Sequence, residues 1–324
     1  MKKKILMVSG KFSGYEERAK AYFSEQGFDL VEYKINGRMS SEDLKDKVKG
    51  VSGLIAGPEE ISEEIMDIAQ KLEVICVPGV GVDHIDVKGA TKRGIAVCNC
   101  AGSNKDAVAE MVLAQMMCLS TKVHIANKNM HEGIWKSGGQ RFELKGKTLG
   151  VVGAGNIGKA LAQKAIGLGM QILFFDVYTD ENFSKKYGVR YTSLDELLRV
   201  SDFVSLNCPL DEKNIDLISY EAFNIMKSTA FLINAARGKL VNPEALVDAL
   251  KNKKIAGAGL DAYHEEPMTV NPYKEFDNVI MTPHSAGSTI ESKYNAFMMA
   301  IENISTVLKG NEPIYCVNLQ GIRK

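Results

Sequence analysis

The chain has 324 residues, enough for two domains of ordinary size, each with a hydrophobic core. Its 40 basic and 40 acidic residues give a formal net charge of zero, so neither nucleic acid nor an anionic membrane surface is indicated as a partner. The opening MKKKILMVSG leads into a helical pattern without a cleavage site, and we interpret it as a strand and not as a signal peptide. No apolar run approaches the roughly 18 residues that a membrane span needs.

The six cysteines are scattered through apolar segments, a distribution that favours reduced thiols and a cytoplasmic location. Cys98 and Cys100 are close enough in sequence to suggest a metal site. A CxC pair without a second pair of ligands is, however, more often two residues at the end of a strand. The sequence therefore predicts no metal.

Residues 1–101 alternate short apolar runs with helical patterns. The apolar runs are KILMVSG, LVEYKI, GLIAG, VICVPG and IAVCN. Such alternation predicts a parallel sheet with helices on its faces, and five strands make a complete small domain of flavodoxin-like type. This region has no glycine motif for a dinucleotide, so we expect it to bind the substrate.

A long stretch with helical periodicity, residues 103–132, comes next. Ser103 is its predicted N-cap, and Asp106 takes the fourth position of a capping-box pattern. Its methionine-rich face is interpreted as core or as a subunit contact. Trp135, the single tryptophan, follows in a polar segment, where an aromatic side chain often anchors an interface.

Residues 147–176 carry the strongest motif of the chain. An apolar run ends in GAGNIG, a helical pattern follows, and a second apolar run ends in Asp176. In such a unit the glycines allow a tight turn, close approach of a pyrophosphate and close packing of the helix on the strand. The residues that this motif assigns to the cofactor are Gly153, Gly155, Asn156, Ile157 and Gly158.

The choice of cofactor follows from Asp176, which lies 18 residues beyond Gly158. That spacing is close to the value of about 20 expected for a carboxylate that binds the adenosine ribose. A carboxylate accepts a hydrogen bond from the ribose 2′-hydroxyl and repels a 2′-phosphate, and residues 177–179 include no arginine that could receive a phosphate. The sequence therefore predicts NAD and not NADP.

Beyond residue 176 the alternation of strands and helices resumes, which predicts a doubly wound sheet and a dinucleotide domain spanning residues 102–288. A last helix, about residues 288–309, and a closing strand, IYCVNL, are expected to return to the first domain. That domain is therefore assigned residues 1–101 and 289–324. The predicted fold class is α/β with two Rossmann-like domains.

Three candidate catalytic residues follow late strands of the second domain. They are Arg237 after LINAA, Glu266 after LDAYHE and His284 after MTP. Reduction of a carbonyl by a nicotinamide requires a cation for the substrate carboxylate and a proton donor with a partner. Because ligands bind at the carboxyl ends of strands in open α/β sheets, we expect these three side chains to converge.

The chain resembles the D-isomer-specific 2-hydroxyacid dehydrogenases over essentially its whole length. The motifs that carry the resemblance are VPGVGVDHID, SNKDAVAE, VVGAGNIGKALAQ, INAARGKLVN, GAGLDAYHEEP and TPHSAG. The resemblance implies that His284 is the acid-base, that Glu266 is its partner, and that Arg237 binds the substrate carboxylate together with backbone amides at Val80 and Gly81. It also implies a homodimer joined through residues 103–145.

The resemblance assigns further cofactor contacts as well. They are Cys208 and Pro209 beside the adenosine half, Asp261 on the nicotinamide side, and also Ala235, His284 and Gly287.

The substrate stays open between glyoxylate, hydroxypyruvate, a longer 2-keto acid and phosphohydroxypyruvate. Where phosphoglycerate dehydrogenases of the better-studied kind carry an Arg-Ser pair, this chain has AGPEE at 56–60. Glu59 and Glu60 would repel a phosphate unless they point to solvent. An alternative of another class is an NAD(H)-binding module of the corepressor type, which acts through partner proteins.

Overall fold

The computed structural model describes residues 2–8, 12, 14–33 and 39–322. By its internal contacts the chain divides into two units. The first unit comprises Met1–Asn104 and Thr289–Lys324, and the second unit comprises Lys105–Ser288.

The elements are numbered in chain order. Up to residue 104 they are β1 (Lys4–Val8), α1 (Glu16–Glu25), β2 (Asp29–Tyr33), α2 (Ser41–Lys47), β3 (Gly53–Ile55), α3 (Glu63–Ile68), β4 (Val74–Cys76), α4 (Val87–Lys92) and β5 (Ala96–Cys98). The second unit contains α5 (Lys105–Thr121), α6 (Val123–His131), β6 (Thr148–Val152), α7 (Asn156–Gly167), β7 (Gln171–Phe175), α8 (Glu181–Tyr187), β8 (Arg190–Tyr191), α9 (Leu194–Val200), β9 (Phe203–Leu206), α10 (Tyr220–Ile225), β10 (Phe231–Asn234), α11 (Pro243–Lys251), β11 (Gly257–Leu260) and β12 (Val279–Met281). The chain then returns to the first unit with α12 (Ile290–Leu308) and α13 (Leu319–Ile322).

The first unit is built on a five-stranded parallel sheet in the order β2-β1-β3-β4-β5. Its strands are almost continuously apolar because helices cover both faces of a parallel sheet. Helix α12 packs on β3 and β4 and begins in a capping box formed by Thr289 and Ser292. This order is that of a flavodoxin-like sheet, as predicted.

The prediction of a closing strand over IYCVNL was wrong. It forms a single antiparallel bridge, between Cys98 and Cys316, before α13 begins. The reason is that the side chain of Asn318 takes over the role of a strand partner. Its amide accepts from the backbone N–H of Val97 and donates to the carbonyl of Ile95, both at 2.9 Å.

The second unit is built on a seven-stranded parallel sheet in the order β12-β11-β10-β9-β6-β7-β8. Strand β6 pairs with β7 on one side and β9 on the other, so the direction of winding reverses there. Ligands in open α/β sheets bind at this point, outside the carboxyl ends of the strands. The predicted α/β class is confirmed for both units.

The helical stretch predicted over residues 103–132 is interrupted. Lys122 has a φ of 52°, a left-handed conformation that ends α5 and separates it from α6. Helix α5 lies against α7 and the late strands, whereas α6 buries none of its side chains. Over the part of the chain that the structure describes, no helix combines the length and apolar character of a membrane crossing.

Candidate active site

Most of the predicted site residues lie at the carboxyl ends of the strands of the second sheet. Because every strand in that sheet is parallel to its neighbours, these ends lie along one edge. The edge carries Gly153, Gly155, Asn156, Ile157 and Gly158 after β6, Asp176 after β7, Cys208 and Pro209 after β9, Ala235 and Arg237 after β10, Asp261 and Glu266 after β11, and His284 and Gly287 after β12.

The turn between β6 and α7 has the shape that a pyrophosphate requires. Gly153 has a φ of 101°, and a Cβ there would lie 2.7 Å from the backbone of Asn207. A Cβ on Gly158 would overlap the carbonyl oxygen of Gly153, so the helix can pack this closely only because residue 158 is glycine. Gly155 is exposed, and a Cβ on it would meet no atom within 4 Å. The start of α7 is therefore open to an anionic ligand, which fits a dinucleotide phosphate.

Asp176 turns its carboxylate back towards the same turn. Its Oδ2 accepts a hydrogen bond from the N–H of Ala154 at 2.6 Å, and its Oδ1 accepts one from the N–H of Tyr178 at 3.0 Å. The side chain is part-exposed, and a carboxylate can accept about four hydrogen bonds. Acceptor positions therefore remain for the hydroxyls of a ribose.

Cys208 follows β9 and is also close to the glycine turn, because Gly153 packs against the backbone of residues 207–208. Burial raises the pKa of the Cys208 thiol to about 11. At neutral pH the thiol is therefore protonated, and it presents an uncharged surface beside the place predicted for the adenosine half.

His284 and Glu266 form a close pair. The Nδ1 atom of His284 lies 2.6 Å from Oε2 of Glu266, and the other carboxylate oxygen accepts from the backbone N–H of Tyr263 at 2.8 Å. The His284 and Glu266 side chains are 50% and 35% exposed, respectively. Because the carboxylate orients Nδ1 as a donor, Nε2 is the nitrogen that can exchange a proton with a ligand.

Arg237 is held at the end of β10 by its neighbours. The buried Asn234 fixes this turn, since its side chain accepts from the N–H of Ala236 at 3.1 Å and donates to the carbonyl of Arg237 at 2.9 Å. A Cβ on Gly238 would overlap the backbone of Tyr263. The glycine thus allows the turn that carries Arg237 to lie against the loop that carries Glu266.

Asp261 organises the segment that carries His284. It is only 1% exposed, and its carboxylate accepts from the hydroxyl of Thr282 at 2.6 Å and from the N–H groups of Ser285 and Ala286 at 2.8 and 2.9 Å. His284 itself has a φ of 49°, within the left-handed region. The Asp261 carboxylate has about four acceptor positions, and three of them are used within the chain. At most one is left for the predicted contact with the cofactor.

Two positioning side chains were not identified from the sequence. The hydroxyl of Tyr263 lies 2.8 Å from the carbonyl of Thr282 and 3.1 Å from that of Leu260. Burial raises the pKa of Tyr263 to about 12, so the hydroxyl keeps its proton and remains a donor. Gln115, buried on α5, donates to the Thr282 hydroxyl at 3.3 Å. The sequence signal that could have identified Tyr263 is its place in the LDAY motif. No sequence signal pointed to Gln115.

Val80 and Gly81 belong to the first unit, in the loop after β4. The side chain of Asn99 donates to the Val80 carbonyl at 2.8 Å, and the N–H of Cys100 donates to the carbonyl of Gly79 at 2.7 Å. The assignment of these residues to substrate binding stays a prediction. Over the described ranges, no group of three or more His, Cys, Asp or Glu side chains is arranged to hold a metal ion.

We predict that Asp261→Asn lowers the free energy of unfolding by about 1–3 kcal/mol, because an amide N–H would face one of the three donors and leave it unpaired. Urea denaturation measures this loss. The matched control is Asp277→Asn, whose side chain is exposed, with an expected change within about 0.5 kcal/mol. Equal unfolding curves for the two variants would contradict the role assigned to Asp261.

Comparison with known proteins identifies the family of the chain. Residues 113–286 match the model for the NAD binding domain of the D-isomer specific 2-hydroxyacid dehydrogenases. A glyoxylate reductase from Korarchaeum cryptofilum is 37% identical over 306 residues, which cover 92% of each chain. A D-3-phosphoglycerate dehydrogenase from Methanocaldococcus jannaschii is 36% identical over 91% of this chain but only 57% of its own length.

A D-lactate dehydrogenase from Lactobacillus jensenii, solved with NAD+, aligns with a TM-score of 0.80 and 30% identity over 97% of this chain and 99% of its own. The resemblance seen in the sequence motifs, the fold class and the predicted NAD cofactor are therefore confirmed. The chain belongs to the D-isomer-specific 2-hydroxyacid dehydrogenase family and is an NAD-dependent oxidoreductase.

Proposed function

We propose that this dehydrogenase interconverts a small, unphosphorylated 2-keto acid, of the size of glyoxylate or hydroxypyruvate, with its D-2-hydroxy acid. The observation that carries the proposal is the 2.6 Å pair of His284 and Glu266, on the same sheet edge as the glycine turn and beside the turn of Arg237. When bound, the nicotinamide supplies the hydride in the reductive direction.

His284 is the proposed general acid in that direction. Its Nε2–H gives a proton to the oxygen of the keto group as negative charge develops there, and the ring recovers the proton from solvent. Glu266 holds Nδ1–H and stabilises the charged ring. In the oxidative direction the neutral ring takes the proton of the hydroxyl group.

Arg237 is proposed to bind the carboxylate of the substrate. A guanidinium group can donate two parallel hydrogen bonds to a carboxylate, which fixes the orientation of the adjacent keto carbon. The turn held by Asn234 and Gly238 limits the positions that this side chain can take. Reaction at the carbon next to a carboxylate follows from this arrangement.

The preference for an unphosphorylated substrate rests on the segment after β3. Glu60 is exposed, but Glu59 is only 4% exposed, with one oxygen accepting from the N–H of Met39 at 3.0 Å. A buried carboxylate at the place where phosphoglycerate dehydrogenases of the better-studied kind carry an Arg-Ser pair disfavours a phosphate.

We expect NADH oxidation to be at least tenfold more efficient, as kcat/KM, with glyoxylate or hydroxypyruvate than with phosphohydroxypyruvate, a difference of about 1.4 kcal/mol. Steady-state kinetics with the purified protein and a panel of 2-keto acids make this test. A preference for phosphohydroxypyruvate would contradict the proposal and indicate that the protein is a phosphoglycerate dehydrogenase. Tight NADH binding without turnover of any 2-keto acid would favour the corepressor-type alternative.

His284→Ala is expected to lower kcat by roughly 100-fold or more and to leave the Kd for NADH unchanged, because the proton donor is lost while the glycine turn is intact. Stopped-flow and fluorescence titration measure the two quantities separately. His131→Ala, an exposed position on α6, is the matched control and should retain activity. Full activity of the His284 variant would remove this residue from the mechanism.

Asp176→Ala is expected to reduce the preference for NADH over NADPH by about tenfold or more, since the repulsion of a 2′-phosphate disappears. The measurement is kcat/KM for each cofactor at fixed substrate. Glu181→Ala, an exposed acid nearby on α8, is the control and should keep the original preference. An unchanged ratio in the Asp176 variant would argue against ribose binding by this side chain.

We also infer a cytoplasmic homodimer that associates through residues 103–145. Six cysteines without a disulfide suit a reducing compartment. Within the proposed interface, Trp135 is 88% exposed, and further large apolar side chains are exposed at Met117, Val123, Met130 and Ile134. Such a concentration of exposed apolar residues is typical of an interaction surface.

Sedimentation velocity is expected to give the mass of two chains for the native protein and to shift towards one chain for Trp135→Glu, because a charge would be buried in the interface. Tyr178→Glu is the control, since Tyr178 is exposed outside that region. A monomeric native protein would contradict the dimer.

A further inference from the structure

The bridge between β5 and the C-terminal segment places two cysteines directly opposite each other. Backbone hydrogen bonds of 3.1 and 2.8 Å join residues 97–99 to residues 315–317 on either side of the pair formed by Cys98 and Cys316. Two residues that are flanked in this way form a non-hydrogen-bonded antiparallel pair. The Cα atoms of such a pair are about 4.5 Å apart, and the side chains lie on one face. That separation lies within the range of about 4.4–6.8 Å in which a disulfide can form.

The two thiols differ in accessibility. Cys98 is completely buried, whereas Cys316 is part-exposed and lies 3.3 Å from the amide oxygen of Asn318. A hydrogen bond from the Cys98 thiol lowers the pKa of Cys316 to about 7, and the same hydrogen bond together with burial raises the pKa of Cys98. Of the two sulfurs, that of the part-exposed Cys316 therefore has the greater thiolate character, and the buried Cys98 thiol keeps its proton.

We propose that Cys98 and Cys316 are a redox modification site that closes to a reversible disulfide when the protein meets a hydroperoxide. The Cys316 thiolate attacks a peroxide oxygen, so that an S–O bond forms and the O–O bond breaks, leaving a sulfenic acid and a hydroxide or alkoxide, which takes a proton from solvent to become water or alcohol. The Cys98 sulfur then attacks the Cys316 sulfur. The S–S bond forms, the S–O bond breaks, and the hydroxide leaves as water with the Cys98 proton.

Other cysteines of the first unit do not share this arrangement. Cys76 and Cys100 lie in the same core cluster as Cys98 but are completely buried, and Cys100 is 3.2 Å from the carbonyl of Ala296. Among the cysteines of the first unit, Cys316 is therefore the one that an oxidant from solvent reaches first. Cys98, directly opposite in the bridge, is then positioned to resolve the sulfenic acid.

The disulfide would attach the C-terminal segment to the edge of the first sheet. At present the side chain of Asn318 holds that edge. Its amide nitrogen donates to the carbonyl of Ile95 and, at 3.0 Å, to the hydroxyl of Thr91, and its amide oxygen accepts from the N–H of Val97. A covalent link closes a loop that contains most of the chain, and long loops lose the most entropy in the unfolded state. The oxidised protein should therefore resist unfolding more than the reduced protein does.

The test treats the reduced, full-length protein with an equimolar amount of hydrogen peroxide and then alkylates the remaining thiols in denaturant, where the buried cysteines also react. Intact mass is expected to show four alkylated cysteines in place of six, with a peptide that links Cys98 to Cys316 and disappears on reduction with dithiothreitol. The apparent Tm of the oxidised form should rise by roughly 5 °C.

Three variants make the assignment specific. Cys316→Ser should keep all five of its thiols alkylatable and show no rise in Tm, whereas Cys118→Ser, a part-exposed cysteine of the second unit, should still form the cross-link. Cys98→Ser should leave a Cys316 sulfenic acid that dimedone captures. Oxidation of Cys316 to a sulfinic acid without a cross-link, or a cross-link between other cysteines, would overturn the proposal.

Discussion

The buried carboxylate of Asp261 is the interaction on which the candidate site depends. Three hydrogen bonds of 2.6–2.9 Å join the end of β11 to the segment that follows β12. A buried carboxylate must be satisfied by donors, because removing a charge from water without partners is costly. The donors that satisfy it belong to residues on both sides of His284, so the same contacts that stabilise the charge also place the proposed acid-base.

Other contacts at the carboxyl edge of the second sheet also position the candidate catalytic residues. They act through hydrogen bonds and close approach of the backbone and not through side-chain bulk. Tyr263 provides its hydroxyl for the Thr282 carbonyl and its backbone N–H for Glu266, so one residue supports both members of the histidine–carboxylate pair. Gly238 lets the Arg237 turn pack against this residue. Pre-organised groups of this kind need little rearrangement when charge develops on a ligand.

Sequence patterns predicted the sheets of both units but missed one local conformation in each. Alternating apolar runs predicted both parallel sheets, since strand identity depends on short local segments. The predictions of a continuous helix over residues 103–132 and of a closing strand failed, because another local conformation formed there. Lys122 adopts a left-handed conformation within a helical pattern, and the Asn318 side chain displaces a strand that apolar composition favoured.

By itself the sequence determined the α/β class, through the alternation of apolar runs and helical patterns along the chain. It also determined the glycine turn, the NAD cofactor and the candidates Arg237, Glu266 and His284, because each of these depends on residue type and spacing within a short motif. Tertiary structure alone decided that Asp261 is enclosed by three donors and that Gln115 reaches Thr282. It also decided that Cys98 faces Cys316. These contacts join segments far apart in the chain, and their geometry is fixed only when the sheets and their covering helices pack together.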